Sequence, residues 1–125
     1  MLARLGSQKA DTFGVIDLTA GYHQDPLTLS TRVDTAFITF MVIYHITRLP
    51  FGPKRAPSHF QEKMASIVLL GLIYQICEVC LDDIIVYSKG FEEFGKRLET
   101  FFQHLEKKNI LLKAAKLKLN VKLVE

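Results

Sequence analysis

Ile76-Cys77-Glu78-Val79-Cys80-Leu81-Asp82-Asp83-Ile84-Ile85-Val86-Tyr87 is the stretch on which the reading of this chain turns. Apolar segments at 76–81 and 84–87 flank two adjacent aspartates. That pattern predicts a hairpin of two strands with a carboxylate pair at its tip. Asp is a common turn residue, so a turn accounts readily for one of the two. It accounts less well for a pair bracketed by Leu81 and Ile84. Adjacent anions repel, and withdrawing them from water raises their pKa.

Working outward, Asp17 raises the same question. It interrupts Phe13-Gly14-Val15-Ile16-Asp17-Leu18, a short apolar run that reads as a buried strand, at a place where another aliphatic residue is expected. If that strand ends beside the hairpin tip, Asp17, Asp82 and Asp83 converge. Hard oxygen donors without Cys or His suit Mg²⁺ or Mn²⁺, and such clusters serve two-metal phosphoryl transfer. From pattern alone a purely structural reading, with carboxylates at turns and strand ends, stands equally open.

The surrounding periodicities set the fold. Residues 35–46 are rich in Phe, Ile, Val, Thr and Tyr and predict strand pairing. Pro57 suits a first helical turn, and Phe60, Met64, Ile67 and Gly71 mark one face of the helix that follows. Phe91, Phe94, Leu98, Phe101, Phe102 and Leu105 define a second amphipathic helix, closed near Asn109. Leu117, Leu119, Val121 and Leu123 alternate with polar or exposed positions as in a half-buried strand. Leu2 to Leu5 reads as a helix end stopped at Gly6-Ser7. The order of elements predicts an α+β domain, an antiparallel sheet with helices packed on one face, close to the ferredoxin-like split β-α-β arrangement.

The 125 residues suit one domain. With 49% hydrophobic and 23% charged residues, disorder is excluded as a reading. The longest apolar run, 67–74, falls short of the roughly 20 residues needed to span a bilayer. The first six residues carry no apolar signal region, so the expectation is an intracellular protein of cytoplasm or nucleus, neither secreted nor in a membrane. Net charge is +3, and its distribution is uneven: six lysines and no acid lie between Lys107 and Lys122. A basic tail favours a polyanionic partner such as nucleic acid, and a solvated basic face is an equal reading. Cys77 and Cys80 have no second ligand pair for zinc. They read as small core residues, facing opposite sides of a strand, in a reducing compartment. His23, His45, His59 and His104 show no ligand spacing.

The residues also resemble a known family. Phe13-Gly14-Val15-Ile16-Asp17-Leu18-Thr19-Ala20-Gly21-Tyr22-His23-Gln24 is similar to the first catalytic motif of reverse transcriptases from Ty3/gypsy-type long-terminal-repeat retrotransposons. Thr35-Ala36-Phe37 resembles the segment after it. Arg48-Leu49-Pro50-Phe51-Gly52, with Ala56-Pro57 and Phe60-Gln61, resembles the next motif. Cys80-Leu81-Asp82-Asp83 with Ile84 to Ser88 resembles the Y-x-D-D hairpin, and the likeness covers essentially the whole chain. Cys80 stands where the family has Tyr, Arg55 where Asn is usual, and Asp25 where an aliphatic residue is common.

The resemblance implies a polymerase palm over residues 1–125, with fingers, thumb and ribonuclease H regions belonging to a longer polyprotein. Asp17, Asp82 and Asp83 would be the catalytic residues and the ligands of two Mg²⁺ ions, or Mn²⁺. Leu18, Tyr22, Phe51, Gly52, Gln61 and Lys116 would form the substrate-binding set. Of these, Tyr22 matches the aromatic gate against a ribose 2′-hydroxyl, and Lys116 a lysine that protonates the pyrophosphate leaving group. The implied function is RNA-directed DNA synthesis, with RNA or DNA template, primer and deoxynucleoside triphosphates as partners. The alternative is an inactive retrotransposon remnant with weak nucleic-acid binding.

Overall fold

The computed structural model describes residues 9–80, 83–114 and 117–122, with 120–122 described by their backbone alone. The expected helix end at Leu2 to Leu5, the residues Leu81, Asp82 and Lys116, and the side chains of Val121 and Leu123 lie outside the described residues.

Strand β1 (Thr12–Asp17) is followed by a 3₁₀ turn (Gly21–Gln24) and a short helix α1 (Leu29–Val33). Strands β2 (Phe37–Ile38) and β3 (Ile43–Tyr44) form a small hairpin. Helix α2 (Ala56–Lys63) runs into a π-helical turn (Met64–Val68). Then come β4 (Cys77–Cys80), β5 (Asp83–Ser88), α3 (Phe91–Lys107) and β6 (Lys118–Lys122). The main sheet has the order β4-β5-β1-β6, every neighbour antiparallel, while β2 and β3 form a separate two-stranded sheet. The expected α+β architecture is therefore present.

Side-chain parity explains how the layers assemble. Ile16 of β1, Cys77 and Val79 of β4, and Ile84 and Val86 of β5 share one core cluster with Phe60 of α2, Met64 of the π turn, and Phe94, Phe101 and Leu105 of α3. One face of the sheet thus carries both helices. α3 approaches β1 so closely that a Cβ on Gly14 would meet Phe94 Cζ at 2.9 Å. No other residue fits there without movement of the ring. Arg97 fastens α3 to β5: its guanidinium donates to the Tyr87 carbonyl at 2.7 Å and lies over the Tyr87 ring, 5.9 Å from the centroid.

Several expectations need correction. Phe60 and Met64 face the core, but Ile67 is exposed and Gly71 lies in a turn. The π turn inserts an extra residue into the helical repeat, so Val68 and Leu69 take the inward places instead. Phe91, at the first position of α3, is exposed. Cys77 is fully buried, but Cys80 is exposed, so only one of the two is a core residue. Residues 35–46 do pair as strands, yet the hairpin stays outside the main sheet and out of the core. Leu117, just before the edge strand β6, packs on the core, whereas Leu119 within it is half exposed. Among the described residues no helix is long and apolar enough to cross a membrane.

Candidate catalytic carboxylates

The face of the main sheet turned away from the helices holds the candidate site. In the β1–β5 ladder Asp17 is the register partner of Asp83. Residues directly opposite in an antiparallel pair have Cα atoms about 4.5–5.5 Å apart and side chains on the same face. Ile16 and Ile84, one position along, point into the helix-covered core. By alternation Asp17 and Asp83 therefore share the open face. Asp83 is exposed and Asp17 partly so. The other end of this face is closed by a small apolar cluster of Phe13 and Tyr87 with Ala10 and Ile85. Asp17 and Asp83 thus stand at the opposite end of this face from the apolar cluster.

Asp83 is not at the hairpin tip. It is the first residue of β5 and the partner of Cys80, the last residue of β4. The ladder leaves only Leu81 and Asp82 between the strands, and both lie outside the described residues. The expected convergence of three carboxylates is thus described for two of them. Among the described residues no group of three or more His, Cys, Asp or Glu side chains stands together for a metal.

The segments after β1 are tied down by a side chain to which sequence reasoning assigned no role. Gln24 donates from Nε2 to the Thr19 carbonyl at 2.6 Å and to the Leu111 carbonyl at 2.9 Å, and its Oε1 accepts from the Leu111 N–H at 2.8 Å. The Asp17 carbonyl accepts from the Lys113 N–H at 3.0 Å. Together these bonds pin the end of β1 to the basic segment beyond α3. A glutamine closing a turn is the only sequence signal, and it does not reveal a partner 87 residues away.

The aromatic candidates form a second group. Tyr22 is buried, stacked on Phe51 with centroids 5.0 Å apart and tilted against Phe60 at 4.9 Å. Phe51 is two-thirds exposed and also meets His23 edge-on. Gly52 follows with φ +114°, a left-handed conformation open to glycine. Gln61 is exposed on α2. Leu18 is buried in the core, so its side chain is turned away from the open face.

Two further polar groups were missed. Asp25 is almost fully buried, and its carboxylate pairs with Lys63 Nζ through Oδ1 and with His59 Nε2 through Oδ2 at 3.3 Å. Both partners come from α2, one helical turn apart. Asp25 and Lys63, with Leu18, Phe60, Met64 and Ile110, also line a cavity of about 220 Å³ that Asp17 and Asp83 do not reach. His104 Nε2 lies 2.6 Å from the Val68 carbonyl and donates to it, holding α3 to the π turn. Burial, reinforced by the nearby Glu78 carboxylate, pushes the Cys77 thiol up to about 12, so it stays protonated at neutral pH.

The description "Reverse transcriptase (RNA-dependent DNA polymerase)" belongs to the family model that matches residues 4–123. The chain belongs to the reverse transcriptase family. Two Drosophila melanogaster relatives are similar over most of its length. The retrovirus-related Pol polyprotein from transposon opus is 40% identical over 109 residues, which is 87% of this chain and 11% of that polyprotein. The one from transposon gypsy is 37% identical over 105 residues, 84% of this chain and 10% of that one. This reverse transcriptase chain therefore spans about a tenth of the length of these relatives. Its fold matches the foamy viral protease-reverse transcriptase solved in complex with double-stranded DNA, with a TM-score of 0.76 and 27% identity over 87% of this chain and 20% of that one. The same viral enzyme in complex with an RNA/DNA hybrid gives a TM-score of 0.75 at 27% identity, over 87% of this chain and 14% of that one.

Proposed function

We propose that this chain is the palm of an RNA-directed DNA polymerase, in which Asp17, Asp82 and Asp83 hold two divalent cations beside the primer end. The observation that carries the reading is the register of Asp17 opposite Asp83 on the open face of the sheet. Hard carboxylate oxygens at a solvent-facing sheet end fit Mg²⁺ or Mn²⁺, which keep water and substrate phosphates as further ligands. When bound, such ions activate a 3′-hydroxyl and neutralise charge on a triphosphate. The chain's own residues divide the remaining work. Gln24 fixes the end of β1 and so the position of Asp17. Tyr22, wedged between Phe51 and Phe60, walls the side from which a ribose 2′-hydroxyl would be excluded. Phe51, Gly52 and Gln61 border nucleotide and template, Leu18 contributes backbone, and Lys116 supplies the proton to the leaving pyrophosphate. Lys107, Lys108, Lys113 and Lys118 are exposed and available to template and primer phosphates.

Manganese titration followed by amide line broadening tests the metal assignment. Residues 17 and 83 should broaden first, and Asp17→Asn or Asp83→Asn should abolish the effect. Broadening centred elsewhere, or unchanged in both variants, refutes it. A second reading, a palm that binds nucleic acid without turnover, draws on Cys80: it is the register partner of Asp83 and stands where the family has Tyr. Extension of a primed RNA template separates the two. Product lost in Asp17→Asn supports the polymerase, and absence of product that Cys80→Tyr restores supports the second reading.

A further inference from the structure

Asp25 stands where the three segments carrying Tyr22, Phe51 and Phe60 meet, and each of its polar groups is committed to a different one. Its backbone N–H donates to the Tyr22 carbonyl at 3.0 Å and closes the 3₁₀ turn. Its carbonyl accepts from the Leu49 N–H at 2.9 Å, just ahead of Phe51 in the chain. Its carboxylate pairs with Lys63 Nζ and with His59 Nε2, both on the helix that carries Phe60. Two more bonds lace the first two segments together: the Leu27 N–H donates to the Thr47 carbonyl at 3.0 Å, and the Arg48 guanidinium to the Gln24 carbonyl at 3.1 Å. Backbone bonding thus joins the Tyr22 turn to the Phe51 segment. Among the described residues no backbone hydrogen bond joins either of them to α2. The Asp25 carboxylate makes that link.

The other contacts across this boundary are apolar, such as Tyr22 against Phe60. Apolar attraction is non-directional, so it resists separation more than sliding. A charge-assisted hydrogen bond is short and directional, and at 4% exposure the carboxylate is little screened by salt. All of these bonds lie inside the described residues, so they hold whichever surfaces a longer chain would cover. We propose that Asp25 is a positioning residue for nucleotide selection: its pair with Lys63 sets where the Tyr22 ring stands against Phe51 and Phe60. The inference rests on the role proposed above for Tyr22 as the wall against a ribose 2′-hydroxyl. An apolar wall rejects an added hydroxyl by only about 100-fold, and a small misplacement can cost about as much. An aliphatic residue at position 25 would fill the space without fixing the ring.

The double variant Asp25→Leu/Lys63→Met is the test, because exchanging both charges of a buried pair for apolar side chains is often neutral or stabilising. Nuclear magnetic resonance with labelled tyrosine reads the Tyr22 ring, assigned through Tyr22→Phe. The expected result is a Tyr22 resonance that moves toward that of an unstacked tyrosine, in a variant whose melting temperature is equal or higher and whose Tyr87 resonance stays in place. Lys63→Arg, which keeps the cation, should leave Tyr22 as in the parent. In primer extension the preference for deoxynucleotides over ribonucleotides should fall about tenfold in the double variant, a large part of what such a wall supplies, through faster ribonucleotide incorporation. A Tyr22 resonance unmoved in the stable double variant overturns the proposal, as does an unchanged preference. So does a double variant that unfolds, since Asp25 then holds the fold and not the wall. A chain that yields no product with either nucleotide refutes the polymerase reading instead, and the Tyr22 resonance still decides whether Asp25 sets the ring.

Discussion

Asp25 and the pair formed by Asp17 and Asp83 are aspartates in opposite settings. Asp25 is 4% exposed and meets two nitrogen partners on α2. Asp17 and Asp83 face each other across a ladder at the end of an open sheet face. The first carboxylate is matched from within the fold. The second arrangement sets like charges opposite one another, which the fold tolerates at a cost. A buried acid held between two nitrogen groups is a device of structure, whereas opposed acids on an accessible face stand where a cation from solvent can reach them. Chain position alone does not separate them, because all three lie in or beside apolar segments.

The contrast breaks most visibly at Lys63. Lys63→Met leaves the Asp25 carboxylate buried with only His59 beside it. Removing one partner of a buried pair costs about 3–5 kcal/mol. Lys63 is one-third exposed and His59 remains, so we expect about 2–3 kcal/mol, read as a fall in melting temperature of roughly 5–12 °C. Asp25→Leu should cost far less or stabilise, since replacing the charge with an aliphatic side chain removes the desolvation penalty together with the pair. If Lys63→Met and Asp25→Leu destabilise equally, Asp25 is not held as a matched charge.

The opposed pair should respond in ligand binding instead. Calorimetry with Mn²⁺ should show affinity falling at least tenfold in Asp17→Asn, while Asp25→Asn leaves it unchanged. Primer extension by the chain should be slow, because metal ligands alone do not hold primer end and triphosphate in near-attack geometry, and a small misplacement costs about 100-fold. Equal loss of Mn²⁺ affinity in the Asp17 and Asp25 variants would erase the distinction between the two settings.

The third effect is smaller and opposite in sign to the first. Asp83→Asn keeps the shape of the side chain and removes one of two facing charges. Cross-strand pairs contribute roughly 0.2–1 kcal/mol, so the variant should gain about 0.5 kcal/mol in metal-free buffer. The gain should vanish when saturating Mn²⁺ stabilises only the parent. A destabilised Asp83→Asn in metal-free buffer would show that the carboxylate is structural.

Much of this contrast was legible in the chain, and the illegible parts share a cause. Asp17 and Asp83 stood out because each interrupts aliphatic residues, but their meeting was conditional on where β1 ends, and only the β1–β5 register puts both on one face. α3 was legible because its apolar residues recur at helical spacing over 17 residues. The π turn was not, since one extra residue within Met64–Val68 leaves composition unchanged while exchanging Ile67 for Val68 in the core. Asp25 stood out only as an acid where an aliphatic residue is common. Its partners lie 34 and 38 residues on, and only the packing of α2 brings them near. The hairpin at 37–44 misled by the same logic: apolar composition signals burial only when another layer arrives to cover it.

A last, smallest effect sharpens the contrast from a third setting. Asp11 is fully exposed, yet its Oδ1 accepts from the Gly90 N–H at 2.8 Å and from the Thr12 hydroxyl at 2.8 Å. The Gly90 backbone bond leads, and with the Thr12 hydroxyl it holds the Asp11 carboxyl below the ordinary value of 3.8. A carboxyl lowered in the folded state binds its proton less readily there than in the unfolded chain. Its contribution to stability is therefore fully present above 3.8 and is lost as pH falls through the lower folded value. Comparing the melting temperatures of the parent and Asp11→Ala from pH 7 down to pH 2 should give a small constant gap above about pH 5 that closes below pH 3.8. Because the bond links the residue before β1 to the entry of α3, hydrogen exchange at the Gly90 amide should speed up in the variant at neutral pH. A gap that widens as the solution is acidified would mean that Asp11 acts through its protonated form, and the hydrogen bonds drawn to its carboxylate would not be the source of its effect.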